Sequence, residues 1–298
     1  MNISSTFYSL RIQKHLRRID NCTEIKRVTS KRRSSVNSKI NNKGFVKEQY
    51  KDDTGLLIRK KIHEKYSANK QGFGNWLFEI IDLPSEGRIL ELGSGNGDFW
   101  FNNFHQLNDS VQLTVSDFSN GMVGKMKKKF EDLDVTVRQI DIQEIPFDDN
   151  SFDVIIANAM LYHVPDMEKA LAEVNRVLKP NGKFYTSTFG ENGLSSFIST
   201  SLSEVGVRVS EESNYTFTLQ NGSKLLSNHF GEVERLDYED SLLVTKVQDL
   251  VDYIFSMTSM NGLTSENYDQ IYEFFEKKMQ SEGVIEIPKE YGSFISMK

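Results

Sequence analysis

The chain has 298 residues, 38% of them hydrophobic and 26% charged, with a net charge of −6 and a single cysteine, Cys22. That length can bury a sizeable core as one domain with insertions, the composition is ordinary for a soluble globular protein, and no apolar run is long enough to span a bilayer. One cysteine excludes an internal disulfide and a cysteine-built metal centre, and it fits a reducing, cytoplasmic setting.

The charge is unevenly spread. Residues 1–47 hold twelve Lys and Arg against Asp20 and Glu24, a charge of +10, which leaves −16 on residues 48–298. An acidic body lacks the positive surface that phosphate-driven nucleic-acid binding requires. The tail has no sustained apolar periodicity and reads as a disordered extension with a short helix near Phe7–Ile19. Three uses for it stay open: a solvated extension, an organelle transit peptide, or an arm for nucleic acid or another partner. It lacks the apolar h-region of a secretory signal.

From Glu48 the pattern turns helical. Leu56, Leu57, Ile58 and Ile62 suggest one helix, and Trp76, Leu77, Ile80, Ile81 and Leu83 a second that ends at Pro84. Ile89, Leu90 and Leu92 then form a short buried strand that enters a turn at Gly93, Gly95 and Gly97. Glycines at such a corner accept positive φ and leave room for a ligand beside the unpaired N–H groups that open the next helix. A dinucleotide fingerprint would need its third glycine at Asp98, and a P-loop would need a Gly-Lys-Ser/Thr ending. Neither pattern is present.

After the corner, Phe99–Leu107 reads as a helix, and Val111, Leu113 and Val115 alternate as a strand ending at Asp117. A carboxylate at that strand tip is placed to accept hydrogen bonds from ribose hydroxyls. Its competing use is to cap the helix Ser119–Phe130, although Ser119 can cap that helix itself. Val135, Val137 and Ile140 make a third strand that ends in Asp141-Ile142-Gln143. Ser151–Asn158 is a fourth, apolar enough to be covered on both faces. Met167, Ala170, Leu171, Val174, Val177 and Leu178 fall at helical spacing, and Leu178-Lys-Pro-Asn-Gly182 turns into a fifth strand, Lys183–Phe189.

Glu91-Leu-Gly-Ser-Gly-Asn-Gly97 resembles the first motif of class I S-adenosylmethionine-dependent methyltransferases. Phe152-Asp153, His163, Asp166, Glu173, Arg176 and Leu178-Lys-Pro-Asn-Gly182 are similar to an ordered phrase of the branch that includes ubiquinone and menaquinone methyltransferases. The resemblance covers residues 85–190 closely and 50–298 more loosely. It implies a Rossmann-like α/β fold: a mostly parallel seven-stranded sheet, helices on both faces, and a helical cap insertion. It also implies an enzyme that uses S-adenosylmethionine. Gly93, Ser94, Gly95 and Gly97 would then grip its amino-acid end, with Asp117 at the ribose, Asp141 and Ile142 at the adenine, Asn158 at the rim, and Glu91 and Phe118 as further cofactor-binding residues. The segment Ile62–Gly72 is similar to a pre-core segment that closes over the cofactor, which makes Tyr66 and Asn69 candidates. A tyrosine ring packed into the core is the alternative for Tyr66.

Beyond Phe189 the sequence predicts a helix at Leu194–Val205, a polar insertion near Ser210–Gln220 and a strand at Val233–Tyr238. Two aromatic-striped helices follow, and an antiparallel strand at Gly292–Met297 closes the chain. The expected organisation is a tail at 1–47 and a methyltransferase domain at 48–298. Within the domain, 48–84 lie over the cofactor, 85–190 form the core, and 191–298 complete the sheet around an insertion at 241–282.

Methyl transfer from a sulfonium is an in-line displacement that needs alignment and exclusion of water, and no metal. An oxygen or nitrogen nucleophile can also need a proton removed. His163 is the histidine of the motif-bearing rim and the candidate base. The expected acceptor is a small molecule. An RNA or protein acceptor guided by the tail, a non-catalytic adenosylmethionine-binding module and a nicotinamide oxidoreductase stay open, and the oligomeric state is undetermined.

Overall fold

A computed structural model describes residues 54–207, 210–211, 216–257, 260–261 and 263–298. The readings made for residues 1–47, for the region around 212–215 and for parts of the cap fall outside these.

Seven strands form one sheet: β1 (Gly87–Leu92), β2 (Val111–Asp117), β3 (Val135–Gln139), β4 (Phe152–Asn158), β5 (Leu178–Phe189), β6 (Glu232–Val244) and β7 (Ile285–Met297). Their spatial order is β3-β2-β1-β4-β5-β7-β6. The first five run parallel, and β7 is antiparallel to both β5 and β6. Burial on both faces explains the unbroken apolar runs of β1 and β4, whose Ile89, Leu90, Ile155 and Ile156 are wholly enclosed.

The helices are α1 (Thr54–Tyr66), α2 (Phe73–Glu79), α3 (Asp98–Asn103), α4 (Asn120–Lys129), α5 (Met167–Val177), α6 (Leu194–Glu204), α7 (Gly222–Ser227), α8 (Val247–Ser256) and α9 (Tyr268–Glu282). On one face of the sheet, Trp100, Met126 and Phe130 from the α3–α4 region pack with Phe78 against Ile89, Val115 and Ile156. On the other face, Ala170, Leu171, Val174 and Val177 of α5 meet Leu90, Ile155 and Phe184. The start of α5 is fixed by Asp166, whose side chain accepts from the Lys169 N–H at 3.0 Å.

A third core lies under the cap, where Ile62 and Tyr66 of α1, Leu250 and Ile254 of α8 and Phe275 of α9 pack on Leu242, Ile285 and Ile287. It exists because β6 and β7 outrun the rest of the sheet. β5 pairs with β7 only from Lys183 to Phe189, opposite Met297 to Tyr291, whereas β6 and β7 pair along thirteen residues each, down to Val244 opposite Ile285. β6 therefore continues past Tyr238, and β7 begins at Ile285 rather than Gly292. Pro288 is tolerated inside β7 because this overhang has a neighbouring strand on one side only.

Candidate active site

Ligands in open α/β sheets bind beyond the carboxyl ends of the strands, where the strand order reverses. Here β1 lies between β2 and β4, and a chamber of about 970 Å³ opens over that edge. Its walls include Gly93, Ser94, Gly95, Asp117, Phe118, Asp141, Ile142, Asn158 and His163, so four strand tips converge as the sequence implied.

The turn after β1 is built on positive φ, 74° at Gly93, 59° at Gly95 and 78° at Gly97. Gly95 borders the chamber, and a Cβ added there would meet nothing within 4 Å, which leaves the backbone open to a ligand. Gly97 corrects the sequence reading. It does not line the chamber, and a Cβ on it would come within 2.6 Å of the Phe130 ring, so that glycine lets α3 dock against α4.

Asp117 ties the two central loops together. One carboxylate oxygen accepts from Gly95 N–H at 2.9 Å and the other from Ser119 N–H at 2.7 Å. Ser119 occupies the N-cap position of α4, yet its hydroxyl makes no cap bond. Each Asp117 oxygen keeps a second lone pair for a ribose hydroxyl. Burial raises its pKa to about 6, against the pull of the two amide bonds.

Glu91 sits behind the turn, outside the chamber lining. Burial raises its pKa to about 7, the neighbouring Asp117 charge adds to the rise, and the Ser94 and Asn158 side chains offset part of it. Its Oε2 and the Asn158 Nδ2 are buried without hydrogen-bond partners among the described residues, while Asn158 Oδ1 accepts from the Ser187 hydroxyl at 3.2 Å. Asn158 borders the chamber, so its unsatisfied donor suits the carboxylate of an amino-acid end. With the open backbone at Gly95 and the acid at Asp117, the residues fit S-adenosylmethionine.

Asp141 Oδ1 accepts from the Gln143 N–H at 3.1 Å and from its side-chain amide at 3.0 Å. The loop from Ile140 to Ser151 is held from below by Arg176, which donates to the carbonyls of Ile145 and Phe147 at 2.9 and 2.8 Å. Glu173 accepts from both Arg176 and Ile145 N–H, at 2.8 and 2.9 Å. Two residues of the family phrase therefore brace the loop that carries Asp141 and Ile142. His163 borders the chamber with its ring 4.5 Å from that of Tyr162.

Tyr66 is a second correction. Ile62 and Tyr66, four residues apart on α1, face the cap core, and the Tyr66 hydroxyl donates to Asp249 at 2.6 Å, away from the chamber. The adjoining face of α1 presents His63 to the chamber, and Ser67 and Asn69 border it just past the helix end. Sequence reading missed His63, Lys289, Tyr253 and Tyr291, all of which line the far end with Phe73 and Phe189. A histidine on α1 and a serine just past its end, four residues on, were the available signal.

A family model described as a methyltransferase domain matches residues 90–186. The ubiquinone/menaquinone biosynthesis C-methyltransferase UbiE of Rickettsia felis is 34% identical over 168 residues, which cover 50% of this chain and 67% of that protein. Among solved structures, a phosphoethanolamine N-methyltransferase 2 of Haemonchus contortus with bound S-adenosylmethionine aligns with a TM-score of 0.55 at 19% identity, over 89% of this chain and 60% of that one. The YcgJ protein of Bacillus subtilis aligns with a TM-score of 0.52 at 18% identity, over 76% of this chain and 97% of that one. At these identities the two structures speak for the fold, while the sequence relative and the domain match carry the family. The chain belongs to the class I S-adenosylmethionine-dependent methyltransferases, in the branch that holds the ubiquinone/menaquinone methyltransferases.

Proposed function

We propose that the protein transfers a methyl group from S-adenosylmethionine to an oxygen or nitrogen atom of a small-molecule acceptor seated in the aromatic far end of the chamber. The cofactor supplies an electrophilic methyl on a sulfonium. The chain's task is to hold the donor and the nucleophile in line and to keep water away. In this reading the Gly93–Gly95 turn and Asn158 hold the amino-acid end with Glu91 behind them, Asp117 and Phe118 hold the ribose, and Asp141 and Ile142 the adenine. His163 takes the proton an acceptor must lose.

The observation that carries the reading is one continuous chamber with glycine turn and strand-tip acids at one end and a ring-lined recess at the other. The Rickettsia felis relative is named a carbon methyltransferase, which adds a carbon nucleophile to the range. No described helix is long and apolar enough to cross a membrane. With the single cysteine this supports action in the cytoplasm on a diffusible acceptor. The acidic body supports a small acceptor over a nucleic acid.

Isothermal titration with S-adenosylmethionine and S-adenosylhomocysteine, followed by transfer of a labelled methyl group into a small-molecule extract, tests the proposal. Cofactor binding with label recovered only in RNA or protein would reject it.

A further inference from the structure

The far end of the chamber is built on the overhang of β6 and β7, and its charges restrict what it can hold. Asp240 pairs with Lys289 and Tyr238 with Tyr291 in the antiparallel register, and the two-residue period of a strand puts all four side chains on one face. Both Lys289 and Asp240 are enclosed. The Lys289 ammonium donates to Asp240 and, at 2.9 Å, to the Ser67 hydroxyl, and it lies 4.7 Å from the centre of the Tyr291 ring. Lys289 borders the chamber and Asp240 does not. The nearby Glu290 has its two carboxylate oxygens engaged by Asn192 N–H and the Gln220 amide, at 2.7 and 2.6 Å.

His63 Nε2 is 3.4 Å from the Tyr291 hydroxyl, and His63 Nδ1 is buried with no hydrogen-bond partner among the described residues. Burial, with the Lys289 charge beside it, keeps the imidazole neutral by lowering its pKa to about 3. Aromatic walls such as Phe73, Phe189, Tyr253 and Tyr291 could by themselves receive either a flat ring or an ammonium ion. The cation's place against Tyr291 is already taken by Lys289, whose charge adds to the burial that keeps His63 neutral and is partly offset by Asp240.

We propose that Lys289 excludes ammonium-bearing acceptors from this site. Tyr291, positioned by His63, contacts an uncharged or anionic acceptor through one of its oxygens. This rests on the chamber being the methyltransferase site.

The test uses two probes of similar shape, 1-naphthol and 1-naphthylmethylammonium, titrated into the full chain saturated with S-adenosylhomocysteine. Naphthol is expected to bind at least about tenfold more tightly than the ammonium. Tyr291→Phe should weaken naphthol about fivefold, in line with loss of one hydrogen bond, and leave the S-adenosylhomocysteine affinity unchanged. His63→Leu should weaken naphthol in the same way, and His63→Gln, which keeps an N–H, should recover part of the loss. Equal or tighter binding of the ammonium, no binding of naphthol, or a Tyr291→Phe variant with unaltered naphthol affinity would overturn the proposal. Failure of S-adenosylhomocysteine to bind would instead strike the methyltransferase reading itself.

Discussion

The Asp117 carboxylate accepts the Gly95 N–H at 2.9 Å, so the acid that ends β2 holds the turn that ends β1. Asp117→Ala removes that brace together with the ribose contact assigned to the same acid. Hydrogen bonds to a charged group are worth about 1.5–3 kcal/mol each, so cofactor affinity should fall by roughly 10- to 100-fold in calorimetry. A change below about threefold would mean that Asp117 serves the turn alone.

Glu91 and Asp117 give the apoprotein a distinctive pH response. Their folded pKa values, about 7 and about 6, lie above the ordinary carboxylate range. The folded chain therefore holds more protons than the unfolded one between pH ~4 and ~7. Their contribution to stability is intact below that window and is lost as pH rises through it. Glu91→Gln has no charge to bury and should be more stable than the parent at pH 8, by up to about 3 kcal/mol, while matching it near pH 4. Urea midpoints at the two pH values check this. Cofactor affinity should rise between pH 5 and 7 in the parent, because an ionised Asp117 is the better acceptor.

Gly97→Ala separates packing from ligand contact. At a φ of 78° with Phe130 in the way, the methyl group should cost about 2–3 kcal/mol in urea unfolding, with cofactor affinity of the folded fraction within about twofold. A large affinity loss without a stability loss would return Gly97 to the binding site.

Much of this was readable from local sequence. Gly93–Gly97, Asp117 and Asp141 each end a strand that its own apolar pattern announces, and the parallel order follows from strand–helix alternation. Gly97 and Tyr66 lie outside the chamber lining, which a motif alone does not reveal because it does not say which way a residue faces. Phe130 lies 33 positions away from Gly97, and the face of α1 depends on the cap it meets. The far end was illegible for another reason. Lys289 finds Asp240 across 49 residues through the β6–β7 register, and Ser67 across 222 through the docking of the segment after α1 on β6. The part of β7 before Gly292 contains Pro288, a residue that argues against a central strand when read from sequence.

Arg176→Ala should loosen the loop between Ile140 and Ser151 without touching the chamber. It removes donors to two carbonyls and to Glu173 and Asp149, so the loop that carries Asp141 and Ile142 loses its support. Calorimetry is expected to show cofactor affinity falling about fivefold or more, and hydrogen exchange should rise at Gln143–Phe147. Unchanged exchange there would remove the link between the brace and the adenine end.

Lys289 and Asp240 provide the sharpest test of how the cap is held. Burial disfavours the ionised Asp240, but the Lys289 hydrogen bond and the Asn69 N–H outweigh it and keep the carboxyl below its ordinary range. Removing one partner leaves a charge buried without its mate, so Lys289→Met alone should destabilise by about 3–5 kcal/mol. Removing both together, as Lys289→Met with Asp240→Leu, leaves no stranded charge and should recover most of that loss. The same pair joins α1 to the β6–β7 overhang through Ser67 and Asn69, with Ala68 N–H donating to the Ser241 carbonyl at 2.8 Å. Proteolysis should therefore cut near residues 67–72 faster in the single variant than in the double. If urea midpoints show the double variant to be as unstable as the single, the polar bonds to Ser67 and Asn69, more than the charge balance, hold the cap in place.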